Sequence, residues 1–111
     1  MGKYLKIMEI TGLELQEKIK NEEDFIVELW GTWCGPCRLM KPIFEKVSSE
    51  NTSSVGMYTM DVDLNREAAL SLNVRSIPTT ITFNKGKVVA NKVGILSEGQ
   101  INNLLTELIN G

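Results

Sequence analysis

Residues 25–37 read Phe25-Ile26-Val27-Glu28-Leu29-Trp30-Gly31-Thr32-Trp33-Cys34-Gly35-Pro36-Cys37. The first six form an apolar run broken only by Glu28, the pattern of a central strand covered on both faces. Beyond the cysteines, Leu39, Met40, Ile43, Phe44 and Val47 recur at helical spacing. A helix is therefore predicted over residues 34–49, with Pro42 removing one internal hydrogen bond and kinking it. The two cysteines thus fall where a buried strand ends and a helix begins. With Cys34 as N-cap, its sulfur meets the amide of Cys37, because Pro36 has none to offer. The helix macrodipole adds about half a positive charge at the same place. Both effects favour thiolate, the attacking species in disulfide exchange. Cys37 lies one turn on, on the same side of the helix; it is expected to be shielded and suits a resolving role.

On the N-terminal side, residues 5–10 read as a short strand. Thr11-Gly12-Leu13-Glu14 is a capping box opening a helix to about Lys20. On the C-terminal side follow a strand over residues 55–62 and a short helix over 65–72. Two strands, 79–83 and 87–93, flank Asn84-Lys85-Gly86 as a hairpin. Ser97 and Gln100 form a second capping box. The last helix carries Ile101, Leu104, Leu105, Leu108 and Ile109 along one face. The order βαβαβαββα is that of an α/β protein with parallel crossovers and an antiparallel hairpin at one edge. With 111 residues, the chain is expected to be a single domain over residues 1–111.

Composition removes many chemistries. There are two cysteines and no histidine, so Ser-His-Asp and Cys-His catalysis and His-ligated zinc are excluded. One chain also lacks the four thiolates of a structural zinc or iron–sulfur site, and no metal is expected. Charge is balanced and interleaved, 12 Lys and Arg against 14 Asp and Glu, which argues against nucleic acid as a partner. No apolar stretch approaches the ~18 residues of a membrane span, and the charged start at Lys3, Lys6 and Glu9 does not resemble a signal peptide. The expected address is cytoplasmic. No G-x-G-x-x-G is present, so no nicotinamide or flavin cofactor is expected.

Three plainer readings of the cysteines compete with redox chemistry. A structural staple is one, but closing a four-residue loop removes roughly 1.9 kcal/mol of unfolded-state entropy, against ~3 for fifteen residues. Half of a zinc site shared between two chains is another, disfavoured by the proline inside the loop and the lack of other soft ligands. Ordinary core packing of two thiols is the third, and it gives no reason for them to cap a helix. Glu28 likewise has two readings: a water-facing residue of an edge strand, or a buried acid. Pro78 opens a predicted strand, where proline costs only the first ladder bond.

The segment Trp30-Gly31-Thr32-Trp33-Cys34-Gly35-Pro36-Cys37 is followed by Pro42, Asp61-Val62-Asp63, Ile77-Pro78-Thr79, Gly86 and Lys92-Val93-Gly94. In this order and spacing, from about residue 5 to 109, the chain resembles the thioredoxin family. The resemblance implies a thioredoxin fold, a central mixed β-sheet flanked by helices, and reduction of protein disulfides. Cys34 would be the nucleophile and Cys37 the resolving thiol of a redox-active disulfide, with Gly35 and Pro36 shaping the loop. Glu28 stands where the family typically buries an aspartate that relays a proton to the resolving cysteine. Burial without a cation raises a carboxyl pKa, which suits that work near neutral pH. Thr59 stands where many members carry a lysine beside that acid, so Glu28 is expected to be more readily protonated.

By the same resemblance Pro78 would be cis and face the disulfide, with the Ile77 backbone pairing to substrate as an added strand. Trp33, Ile77, Val93 and Gly94, with Trp30 and Ile95, would form the apolar substrate surface. A thioredoxin reductase is implied as electron donor and disulfide-bearing client proteins as acceptors, with the chain a monomer. Family members also serve as subunits of larger assemblies, a second reading in which redox chemistry is incidental.

Overall fold

The computed structural model describes residues 8–111. Its elements are β1 (Met8–Glu9), α1 (Gly12–Lys20), β2 (Phe25–Trp30), α2 (Gly35–Glu50), β3 (Gly56–Asp61), α3 (Arg66–Ser71), β4 (Thr79–Asn84), β5 (Lys87–Val93) and α4 (Glu98–Asn110). Residues 5–7 of the expected first strand lie outside the described residues; the remainder pairs as β1. The five strands order as β1-β3-β2-β4-β5. The pairs β1·β3 and β2·β3 are parallel, while β2·β4 and β4·β5 are antiparallel, so the sheet is mixed.

Local signals account for most helix ends. Thr11 accepts the Glu14 amide and Glu14 reciprocates at the Thr11 amide; Ser97 and Gln100 repeat the exchange at α4. The β4–β5 turn holds Lys85 and Gly86 at φ 53° and 77°, both left-handed, as a two-residue hairpin loop requires. Helix α2 runs from Gly35 to Glu50 with Pro42 inside it.

Two cores sandwich the sheet. Ile26 and Met57 meet Met40, Phe44 and Val47 of α2 and Ile101, Leu104, Leu105 and Leu108 of α4 on one face. Phe25, Val27, Leu29, Met60 and Ile81 meet Leu15 of α1 and Ala69 of α3 on the other. Leu39 and Ile109, expected on inward helix faces, are exposed instead. The inward stripe of α2 runs through Cys37, Met40, Phe44 and Val47, and Leu39 is about 100° of helix rotation from Met40.

Strand β2 lies at the centre, so the edge-strand reading of Glu28 does not hold: the residue is 3% exposed. Pairing registers place Glu9, Thr59, Glu28, Thr80 and Lys92 opposite one another in succession, a polar row crossing the whole sheet. No helix among the described residues is long and apolar enough to cross a membrane.

Candidate active site

Strand β2 ends at Trp30, and the next four residues turn the chain into α2. The Cys34 amide donates to the Gly31 carbonyl at 3.2 Å, and Cys34 is the N-cap in extended conformation. Its Sγ accepts the Cys37 amide at 3.2 Å, the donor that Pro36 leaves available. Cys34 and Cys37 form a disulfide with 5.3 Å between Cα atoms. Exposure does not separate the two, since both are almost fully buried, at 4% and 5%. They differ in surroundings: Cys34 Sγ sits at the helix start and 3.7 Å from the Ile77 carbonyl oxygen, whereas Cys37 lines a cavity beneath α2. Gly35 has open space around it, so the loop face carrying it is unobstructed.

The expected surface residues meet around Cys34. The Ile77–Pro78 peptide bond is cis. The Gly94 amide donates to the Pro78 carbonyl at 2.8 Å, and Val93 pairs with Thr79, which brings the end of β5 beside the proline. Gly94 has φ 100°, and nothing lies within 4 Å of where a side chain would begin, leaving its backbone open to a neighbour. Trp33 and Val93 are exposed, and Ile77 and Trp33 both pack against Gly31. The Trp33 indole is pinned by its Nε1, which donates to Asp63 Oδ2 at 2.7 Å. Asp63 holds a surface residue in place from 30 positions away, a role with no local sequence signature.

Behind the disulfide, a cavity of about 570 Å³ is lined by Glu28, Cys37, Lys41, Glu9, Thr59 and Trp30, among others. Glu28 Oε2 is buried in it without a hydrogen-bond partner. Burial pushes the Glu28 carboxyl up to about 8; Glu9 adds to the rise, and Lys41 opposes it. The acid is therefore raised, as expected, but it is not without a cation: Thr59 beside it carries no charge, while Lys41 of α2 lines the same cavity. The Thr59 hydroxyl instead donates to Glu9 Oε1 at 2.6 Å. Neither Glu9 nor Lys41 is marked by any local pattern; the parallel β1–β3 pairing and the phase of α2 bring them to the cavity.

A helix-capped cysteine pair with an acid of near-neutral pKa behind it has the chemistry of dithiol–disulfide exchange. The model of the Thioredoxin family matches residues 6–107. The chain is 36% identical over 106 residues to thioredoxin of Buchnera aphidicola subsp. Acyrthosiphon pisum (strain APS), covering 95% of this chain and 98% of the relative. It is 30% identical over 102 residues to thioredoxin of Alicyclobacillus acidocaldarius subsp. acidocaldarius, covering 92% and 97%. The crystal structure of chloroplastic thioredoxin z superposes with a TM-score of 0.83 at 30% identity, over 96% of both chains. The protein belongs to the thioredoxin family and is a thioredoxin-type, protein-disulfide-reducing oxidoreductase.

Proposed function

We propose that the chain works as a monomeric, single-domain carrier over residues 1–111 in the cytoplasm, taking electrons from a thioredoxin reductase and passing them to client proteins. The reaction needs no bound cofactor, metal, nucleic acid or membrane. Cys34 thiolate attacks one sulfur of a client disulfide, and the other client sulfur leaves as thiolate. Cys37 gives its proton to Glu28 carboxylate and attacks Cys34 Sγ. The second client thiolate departs, two electrons have passed to the client, and Cys34–Cys37 is the oxidised product. In the oxidised protein the proton stays on Glu28 at neutral pH, so the acid is ready to protonate Cys37 when the reductase reopens the disulfide. A pKa of about 8 leaves enough of each form for both directions.

The client is read as an extended segment beside Ile77 and cis-Pro78, over the apolar surface of Trp33, Val93 and Gly94. The observation that carries this reading is the shared cavity: Glu28 and Cys37 line it together, while Cys34 Sγ sits at the helix N-terminus beside Ile77. Trapping tests it. Cys37→Ser is expected to accumulate mixed disulfides with many proteins through Cys34, and Cys34→Ser to lose reductase-coupled turnover. One stoichiometric partner retained without either cysteine would favour the assembly-subunit reading. A redox potential above roughly −200 mV would move the protein to the oxidase or isomerase class.

A further inference from the structure

Glu28 is faced by opposite charges from two walls of its cavity. On β1, Glu9 stands in the same row two strands away, about 10 Å off at ~4.8 Å per strand. Its carboxylate accepts from Thr59 Oγ1 at 2.6 Å, from Trp30 Nε1 at 3.0 Å and from the Asp61 amide at 2.6 Å. Three donors converging on one group suit an ionised, acceptor-only carboxylate and fix where its charge sits. On α2, Lys41 lies one turn after Cys37, lines the same cavity and joins none of the ion pairs among the described residues.

The other ionisable groups nearby are differently engaged. Arg38 donates to the Thr32 carbonyl, and Asp61 accepts the Asp63 and Leu64 amides. Glu45 lines the cavity a turn beyond Lys41, and Lys92 lies at the far, exposed end of the row.

We propose that Glu9 and Lys41 are opposed positioning residues for disulfide exchange: the fixed charge of Glu9 keeps the proton on Glu28, Lys41 draws it off, and their balance sets the pH at which Cys37 gains or loses its proton. The proposal rests on Glu28 serving as the relay. Neither residue touches a reacting sulfur; each acts through the charge of Glu28. The pairing also explains the arrangement around Thr59, whose short hydroxyl leaves room for Glu9 and helps to hold it.

The test is a carbon-13 NMR titration of the Glu28 carboxyl in the oxidised protein, paired with pH–rate profiles for reduction of a small-molecule disulfide. Glu9→Gln is expected to lower the Glu28 midpoint by about 0.5–1 pH unit, as a single charge at ~10 Å would do, and Lys41→Gln to raise it. The pH-dependent limb of the rate should move with each midpoint, in opposite directions, and neither substitution should move it in a Glu28→Gln background. A purely structural role would not give shifts of opposite sign. Midpoints that stay put, or that move in the same direction, overturn the proposal. If the midpoints move as expected but Glu28→Gln leaves the wild-type rate profile unchanged, the relay reading fails, and with it the control of Cys37.

Discussion

Substituting Glu28 by Gln should invert the usual effect of altering a buried functional residue: the variant is expected to be the more stable protein at alkaline pH. The unfolded chain releases the Glu28 proton near 4.5, while the folded chain keeps it to about 8. Between those values the native state binds one proton more than the unfolded state, so stability falls as pH rises. The contribution is fully favourable below 4.5, is lost progressively up to about 8, and stays lost above. At ~1.36 kcal/mol per pH unit the full span is worth at most ~5 kcal/mol, and the cavity beside the acid admits solvent, which places the expected loss at about 2–5. Gln has nearly the same shape and no charge. Urea unfolding of the oxidised proteins from pH 5 to pH 9 should therefore find the two within ~1 kcal/mol at pH 5 and the variant ahead by about 2–5 at pH 9. Other titrating groups are common to both proteins and cancel in the difference. A difference that does not change with pH would refute a raised Glu28 and, with it, the energetic basis for a neutral-pH proton exchange.

Thr80 Oγ1, in the same row as Glu28, is also buried without a partner, so Thr80→Val should raise the urea midpoint by an amount equivalent to ~1 kcal/mol. A lower midpoint would mean that the hydroxyl donates to Glu28 instead. Gly86→Ala should cost about 2–3 kcal/mol in thermal unfolding, because φ is 77° and the added methyl would press on the Ile19 carbonyl oxygen. An unchanged transition would show that the hairpin relaxes freely.

Much of this molecule was legible from short range. Both capping boxes, the Cys37 amide on Cys34 and the Lys85-Gly86 hairpin each involve residues no more than three positions apart, and all form as their residue types require. Glu28 was legible as an oddity, and only the strand order decided between buried and water-facing. Glu9 and Lys41 were beyond reach because their meeting depends on a strand register and a helix phase set by the whole core. The outward turn of Leu39 and Ile109 has the same origin: hydrophobic spacing indicates a face, and packing decides how wide that face is. Cys37 is buried as expected; that Cys34 is equally buried was not legible locally, since its sulfur lies 3.7 Å from the Ile77 carbonyl oxygen, contributed from 43 positions away.

The two tryptophans of this chain both belong to the disulfide's neighbourhood, and both are anchored: Trp30 Nε1 donates to Glu9 and Trp33 Nε1 to Asp63. Every indole photon therefore originates beside the redox centre, from rings whose orientation is held by a carboxylate. Because a disulfide quenches a nearby excited indole by accepting its electron, the ultraviolet emission of the unlabelled protein is a built-in gauge of its oxidation state. Opening the Cys34–Cys37 bond should therefore brighten it, with no tryptophan elsewhere in the chain to dilute the signal.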